Sequence, residues 1–148
     1  RRGCDEKLQS LSLADTHSSL AIDIDHFKAV NDKFGHFIGD KVIQRIAKTI
    51  KDHIGKQDIA VRFGGEEFVV IMTNKTLYQA KAVAELIRNA IANMKLIQRE
   101  TNTYLPPISV SIGVAQNNNA SNWVSLFEQA DQALYQAKNS GRNRCICA

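Results

Sequence analysis

Two short acidic segments contain the side chains best suited to chemistry. Asp23-Ile24-Asp25 ends an apolar run, where a carboxylate is costly to bury unless it has a partner. Glu66 and Glu67 follow a glycine pair directly and precede a long apolar run. Carboxylates gathered in one place repel one another unless a cation or a proton neutralises them. Hard oxygen ligands of this kind suit Mg²⁺, which shares its coordination shell with water and substrate phosphates.

Each segment, taken singly, also has a simpler explanation. An acidic pair at a hairpin tip is usually just solvated, and an Asp before a short helix is usually an N-cap. A metal site therefore depends on whether the two segments meet. If the strands that carry them are neighbours in one sheet, their ends bring Asp23 and Glu66 together.

The hydrophobic periodicity predicts the elements that position these acids. An apolar run predicts a buried strand over residues 19–24, and the runs on either side of Gly64-Gly65 predict a β-hairpin whose two-residue turn needs positive φ. Five helical segments are predicted as well: the end of a helix over 4–14, a short helix closed by Gly35, a helix over 38–54, a helix from the Thr76–Gln79 capping box to Met94, and a helix from Ser121 or Asn122 to Gly141. Two more strands are predicted over 108–115 and 144–147. This mixed order predicts an α+β fold in which helices cover a mainly antiparallel sheet.

Length and composition limit the class of protein. The chain has 148 residues, 44% of them apolar, and a formal net charge of +4, which indicates one soluble globular domain. No apolar run approaches the roughly 20 residues that cross a bilayer, and no signal peptide is visible. Three cysteines are an odd number, and Cys145 and Cys147 share one face of a predicted strand, so reduced thiols in a cytosolic setting are expected.

Four segments, in order, carry a resemblance to a known family. Residues 62–68, Arg-Phe-Gly-Gly-Glu-Glu-Phe, resemble the signature hairpin of the GGDEF family, the diguanylate cyclases, in its GGEEF form. Residues 23–40 match the upstream block of that family, and residues 109–114 and 130–143 match its downstream blocks. One short motif could arise by chance, but four blocks in order could not.

The resemblance implies a fold like that of nucleotidyl cyclases and polymerase palms. It implies condensation of two GTP molecules into cyclic di-GMP, with release of two pyrophosphates. Each domain would hold one GTP and two Mg²⁺ ions, or Mn²⁺ in their place. Two copies would face each other as the active homodimer.

The resemblance also assigns roles to single residues. Asp23, the backbone carbonyl of Ile24 and Glu66 would ligate the metal, with Glu67 as a further ligand. Glu66 would also accept the proton of the 3′-hydroxyl, and Lys28 would stabilise charge on the reacting phosphate. The residues expected to bind substrate are Asn31, His36, Asp40, Gly64, Gly65, Lys138 and Arg142.

These binding residues divide by chemistry. Asn31 and Asp40 would recognise guanine, because a carboxylate accepts from its N1–H and 2-amino group. Lys138 and Arg142 would hold the outer phosphates, and the glycine pair would let the backbone approach the triphosphate. From the residues alone, helix capping is the favoured explanation of Asn31 and His36, and the two cations would suit the end of a helix in any case. Aromatic residues at core spacing are assigned to packing: Phe27, Phe34 and Tyr135, with Trp123 as a lid on the core.

The chain departs from the family pattern in two places. Many members carry an inhibitory Arg-x-x-Asp site before the hairpin, but here Asp58 is present and Gly55 replaces the arginine. A glycine makes no guanidinium contacts, so product inhibition through this site is expected to be weak or absent. The chain also begins at Arg1-Arg2, where the family's leading segment ends, so residues 1–148 are expected to be a truncated C-terminal output domain of a larger sensor protein.

Two other functions compete with the cyclase. One is a catalytically silent module that binds GTP or cyclic di-GMP. The other is a nucleic-acid-binding domain, which has only the net charge in its favour, because the lysines of helix 38–54 suit a solvated face. The expected partners are therefore GTP, a second copy and an upstream sensory domain, without nucleic acid and without a membrane segment in this fragment. The expected location is cytoplasmic, with a parent protein that is free or membrane-anchored.

Overall fold

A five-stranded sheet lies at the centre of the structure, with helices packed on both of its faces. The computed structural model of the protein describes residues 2–118 and 122–148. Its helices are α1 (Arg2–Ser10), α2 (Phe27–Phe34), α3 (His36–His53), α4 (Leu77–Ala92) and α5 (Trp123–Asn139). Its strands are β1 (His17–Ile24), β2 (Ile59–Arg62), β3 (Glu67–Thr73), β4 (Ile97–Gln98), β5 (Thr103–Tyr104), β6 (Val110–Gln116) and β7 (Cys145–Cys147).

The strand order β2-β3-β1-β6-β7 places β1 in the middle of the sheet. β1 pairs antiparallel with both β3 and β6, β2 pairs antiparallel with β3, and β7 lies parallel to β6. The predicted α+β fold with a mainly antiparallel sheet is confirmed. β4 and β5 form a separate two-stranded ribbon, which periodicity did not predict because two residues carry no period.

The two faces of β1 bury different side chains. Leu20, Ile22 and Ile24 pack into the larger core with α2, α3 and α4. Ala21 faces the smaller cluster that α5 covers. Each fully buried aliphatic side chain of this kind contributes roughly 1.5–3 kcal/mol to folding. Within the two described ranges, no helix is long and apolar enough to cross a membrane.

Local chemistry accounts for most element boundaries. Thr76 and Gln79 form the predicted capping box at the start of α4, and the Asn122 side chain caps α5, whereas Ser121 lies outside the described residues. α1 ends at Ser10, before the predicted Ala14, because the Ser12 hydroxyl accepts the Ala14 N–H and stabilises a turn.

The hairpin turn differs from the prediction. Residues 63–66 separate β2 from β3, and neither Gly64 nor Gly65 has a positive φ. The Phe63 N–H donates to the Glu67 carbonyl, and the Arg62 guanidinium donates to the carbonyls of Gly64 and Gly65 at 3.2 and 2.8 Å. The type I′ or II′ prediction was wrong because a long side chain, and not a left-handed backbone, holds this turn.

The aromatic residues assigned to packing separate into two groups. Phe27 is buried, Phe34 is half-buried, and Trp123 packs against the smaller cluster as the predicted lid. Tyr135 is 67% exposed, so its assignment to the core was wrong. It lies on the face of α5 that points away from the sheet, because Ala130, Leu134 and Ala137 already fill the buried face.

Cys145 and Cys147 are free thiols on the edge strand β7. Both pack against the larger core, as their spacing on one face of a strand predicted. Burial and the neighbouring Glu85 carboxylate raise the pKa of Cys145 to about 12. This thiol therefore stays protonated and weakly nucleophilic at neutral pH.

Candidate active site

The two acidic segments meet at one end of the sheet. Asp23, the next-to-last residue of β1, lies opposite Glu67 of β3. One residue further along, the Ile24 N–H donates to the Glu66 carbonyl at 3.2 Å, which ties the end of β1 to the hairpin tip. The two strands are neighbours, which meets the condition for a metal site, and the register brings Asp23 and Glu66 together.

The close approach of α5 adds a cation to this group. The Lys138 ammonium forms an ion pair and a hydrogen bond with the Asp23 carboxylate, which is almost completely buried. α5 reaches the sheet at Gly113 of β6, where a Cβ would lie 2.1 Å from the Ala130 carbonyl oxygen. A glycine is required at that position because the helix backbone occupies the space of a side chain.

The carboxylates influence one another electrostatically. Burial raises the pKa of Glu66 above its ordinary value of 4.5, and the charge of Asp23 raises it further. Lys138 opposes this shift, and Glu67 adds a smaller repulsion. A divalent cation would relieve the repulsion between these groups.

The donor set fits a hard cation that shares its ligands. Asp23 and Glu66 supply carboxylates, and the Ile24 carbonyl belongs to the same strand end. In the described ranges no three His, Cys, Asp or Glu side chains are gathered closely enough to hold a metal alone. Mg²⁺ is suited to such a site, because it retains waters and binds substrate phosphates. Glu67 is exposed on β3, and its role as a further ligand stays a prediction.

The residues predicted to recognise guanine lie at the corner between α2 and α3. Gly35 separates these helices with φ of 88°, and His36 begins α3 one turn before Asp40. The Asn31 side chain lies directly over Gly39, where a Cβ would stand only 1.8 Å from its Oδ1. The structure thus brings Asn31 next to the residue that precedes Asp40, while His36 and Asp40 are both exposed.

Of the predicted phosphate-binding cations, Lys138 meets the acidic end of the sheet directly, and Lys28 and Arg142 lie on segments that adjoin it. Lys28 is exposed in the first turn of α2, which begins two residues after Asp25. Arg142 is exposed in the turn after α5, and Lys138 is the residue paired with Asp23. No side chain caps the start of α2 at His26, and the N-terminus of a helix attracts phosphate.

Sequence reasoning also missed Arg62 as a residue that organises the site. Its guanidinium binds the glycine carbonyls of the hairpin, and so it holds the backbone that carries Glu66. Gly64 and Gly65 are exposed, and a Cβ on Gly65 would meet nothing within 4 Å. The signal in the sequence was an arginine immediately before the hairpin turn, at the start of the segment that resembles the family signature.

The region of the incomplete inhibitory site has a structural role. The side chain of Asp58 is fully buried and accepts hydrogen bonds from the N–H groups of Gly55 and Thr73, at 2.8 and 3.0 Å. Lys75 completes an ion pair at 3.2 Å. A carboxylate directed into the protein in this way is not available to a ligand, which supports the expectation of weak product inhibition.

Comparisons with known proteins agree with this geometry. Residues 1–144 match the family model described as "Diguanylate cyclase, GGDEF domain". The chain is 40% identical over 142 residues to diguanylate cyclase DgcM of Escherichia coli and 39% identical over 147 residues to diguanylate cyclase VdcA of Vibrio cholerae. These alignments cover 96% and 99% of the chain, but only 33% and 43% of the two relatives.

Solved structures agree as well. The GGDEF domain of DgcB from Caulobacter crescentus, in complex with c-di-GMP, is 36% identical with a TM-score of 0.88, over 99% of this chain and 84% of that one. The active GGEEF domain of a diguanylate cyclase from Vibrio cholerae is 33% identical with a TM-score of 0.82, over 99% and 90%. The chain belongs to the GGDEF family of diguanylate cyclase domains.

Proposed function

We propose that this domain condenses two GTP molecules into cyclic di-GMP and releases two pyrophosphates. Each 3′-oxygen forms a bond to the α-phosphorus of the other nucleotide, and each α–β phosphoanhydride bond breaks. Each 3′-hydroxyl loses one proton. Because one domain holds one GTP, two copies must face each other.

The observation that carries this proposal is the meeting of Asp23 and Glu66 at the end of β1, with Lys138 beside them. Mg²⁺, or Mn²⁺, bound by Asp23, the Ile24 carbonyl and Glu66 would neutralise charge on the phosphates and lower the pKa of the attacking hydroxyl. Glu67 lies close enough to raise the pKa of Glu66 and is proposed as a further ligand.

Glu66 is proposed as the acceptor of the 3′-hydroxyl proton. Its carboxylate is carried by the hairpin tip at the proposed cation site, where a bound cation would lower the pKa of the hydroxyl that Glu66 deprotonates. Arg62 keeps this residue in place through the carbonyls of the glycine pair. Lys28, in the first turn of α2, would stabilise charge on the reacting phosphate.

Substrate selection is assigned to the α2–α3 corner. Asn31 and Asp40 would pair with the edge of guanine, and His36 would lie on the substrate side of the same corner. Lys138 and Arg142 would bind the outer phosphates, and the exposed backbone of Gly64 and Gly65 would lie along the triphosphate.

A second copy and an upstream segment are part of the proposal. The chain spans about a third to two fifths of the length of the two curated relatives named above. One similar solved structure contains a coiled coil together with the GGDEF domain of DgcB, and another holds cyclase SiaD with its activator SiaC. We infer that an upstream sensory or dimerising segment brings two copies together, and we place the domain in the cytoplasm, where GTP is available.

Product formation tests the proposal. The purified chain, and the chain fused to a dimerising coiled coil, are incubated with GTP and Mg²⁺, and cyclic di-GMP is measured by chromatography. The fusion is expected to form product, and Glu66→Gln is expected to reduce the rate by about 100-fold or more. The matched control is Glu100→Gln, which changes an exposed carboxylate between β4 and β5 and should retain activity.

Two results would overturn the proposal. Tight GTP binding without cyclic product from either protein would identify a silent binding module. Undiminished product formation by Glu66→Gln would remove Glu66 from both of its proposed roles.

A further inference from the structure

The carboxylate of Asp25 is buried at the end of β1, two residues after Asp23. It accepts hydrogen bonds from the hydroxyls of Ser109 and Ser111, both at 2.7 Å. A third donor is the backbone N–H of Asn143, at 3.0 Å. The first two bonds connect the end of β1 to β6 and to the residue before it. The third bond joins Asp25 to the turn after α5, which is 118 residues away in sequence.

That turn has an unfavourable backbone conformation. Gly141, Arg142 and Asn143 have φ values of 123°, 62° and 46°. A non-glycine residue in the left-handed region costs of order 1 kcal/mol or more and persists only when its surroundings hold it there. Asparagine tolerates this region better than most residues, so Arg142 is the costlier of the two positions and needs compensating contacts.

The surrounding contacts supply this compensation. The Arg142 N–H donates to the Ala137 carbonyl at 2.9 Å, a bond that caps the end of α5. The Asn143 side chain accepts a hydrogen bond from Arg88 of α4 at 3.0 Å. The bond from the Asn143 N–H to Asp25 is the contact among these that joins the turn to the strand bearing Asp23 and Ile24.

We propose that Asp25 is a positioning residue that fixes the turn carrying Arg142 relative to the acidic end of β1. Three donors converge on this side chain, and an ionised carboxylate is an acceptor that can receive all of them. Charge-assisted bonds of this kind are about twice as strong as neutral ones. Asp25 thereby sets the backbone position from which Arg142 extends. This inference rests on the proposed function, in which Arg142 binds the outer phosphates of GTP.

The proposal predicts a selective loss of phosphate recognition. Equilibrium affinities for GTP and for GMP are measured by calorimetry in Mg²⁺ on the full chain, without turnover as a readout. Asp25→Ala is expected to weaken GTP binding about tenfold, the effect of one lost charge-assisted contact, and to leave GMP binding within about twofold of wild type. In an Arg142→Ala background, Asp25→Ala should change the GTP-to-GMP ratio no further.

A matched control separates positioning from simple stabilisation. Ser111→Ala removes a bond of similar length from the same carboxylate but leaves the Asn143 contact, so it should retain the wild-type ratio. Asp25→Asn keeps the shape of the side chain, and one serine hydroxyl can reverse its bond, so partial rescue is expected. This variant also serves if Asp25→Ala does not fold.

The outcomes are distinguishable. Equal losses of GTP and GMP affinity in Asp25→Ala, or a full additional loss in the Arg142→Ala background, would show a purely structural role. A normal ratio in Arg142→Ala alone would remove the phosphate contact on which the inference depends. None of these three results would bear on cyclase activity itself, which product formation tests separately.

Discussion

The ammonium group of Lys138 forms an ion pair with the carboxylate of Asp23, although 115 residues separate them in sequence. The Asp23 side chain is 4% exposed and that of Lys138 is 32% exposed, so a buried charge meets a partly solvated one. The pair compensates a carboxylate that would otherwise be unfavourable in the protein interior. We expect a bound cation to take over this role and to release Lys138 toward the phosphates of the substrate.

This relationship predicts a metal-dependent stability defect. Lys138→Ala should lower the free energy of unfolding by about 2 kcal/mol in the absence of divalent cations, because Asp23 remains charged and buried. Mg²⁺ should reduce the difference from wild type, because the cation does not have to displace Lys138 in the variant and therefore stabilises its folded state more. Urea unfolding with and without Mg²⁺ measures both effects.

The control for this prediction is an ion pair on the surface. Lys48 pairs with Asp52 on α3, where both side chains are well exposed. Lys48→Ala should therefore cost less than about 0.5 kcal/mol. Equal losses in the two variants, or no effect of Mg²⁺ on Lys138→Ala, would contradict the prediction.

The raised pKa of Glu66 predicts a pH-dependent effect on stability. Burial and the repulsion from Asp23 raise this pKa, so between pH 4.5 and the folded-state pKa the folded chain binds more protons than the unfolded chain. The contribution of Glu66 to the free energy of unfolding must fall as pH rises through that window. In metal-free buffer, Glu66→Gln should gain stability relative to wild type as pH rises.

Denaturant unfolding over a series of pH values tests this effect. Glu100→Gln, on an exposed turn, is the comparison for a carboxylate outside the site. If the stability difference between Glu66→Gln and wild type were constant with pH, Glu66 would not experience the environment described for it.

Gly39 is predicted to be a requirement of guanine recognition. Gly39→Ala would place a Cβ 1.8 Å from the Oδ1 atom of Asn31 and must displace that side chain. We expect the affinity for GTP to fall about tenfold, as for loss of the Asn31 hydrogen bonds themselves. Helix propensity favours alanine over glycine by about 1 kcal/mol, so the loss would not reflect a weaker helix.

A double mutant checks the cause of this effect. Gly39→Ala introduces a methyl group that collides with the Asn31 amide, and Asn31→Ala removes that amide. The double variant should therefore bind GTP no more weakly than Asn31→Ala alone. Calorimetry with GTP gives the comparison. Wild-type affinity in Gly39→Ala would show that Asn31 is free to move or does not contact guanine.

Asp58 is predicted to stabilise the fold and not to bind product. Its buried carboxylate has backbone and side-chain donors from Gly55, Thr73 and Lys75, so Asp58→Ala should cost about 2 kcal/mol in unfolding free energy. Asp52→Ala, which removes an exposed aspartate, is the control and should change stability little.

Binding of cyclic di-GMP to a Glu66→Gln background is expected to be weak. Tight binding there that Asp58→Ala abolishes would contradict the prediction.

The hydrophobic pattern was sufficient for most of the elements. The apolar stripe of α3, the Thr76–Gln79 capping box of α4 and the buried strand that ends in Asp23 depend on residues a few positions apart. Interactions between residues this close in sequence can be predicted from hydrophobic periodicity and from capping residues. The pairing of β1 with β3 was a condition of the predicted metal site, and the sheet topology met that condition.

The remaining features depend on contacts between distant segments. Sequence alone predicted left-handed glycines in the hairpin and a buried Tyr135, but Arg62 holds the hairpin turn and the other face of α5 fills the core. The sequence also indicated that Asp25 is costly to bury, but it did not identify the partners of this side chain. These partners are Ser111 on β6, Ser109 just before β6, and the backbone of Asn143 after α5.

The sequence by itself determined the family, the order of the elements apart from the β4–β5 ribbon, and the residue types of the site. Only the tertiary structure decided which charges meet, that Lys138 compensates Asp23 and that Asp58 faces inward. The physical reason is that local periodicity is specified within a few residues, whereas the pairing of charges depends on how closely whole elements approach. Here Gly113 sets that approach, because α5 packs directly onto its backbone.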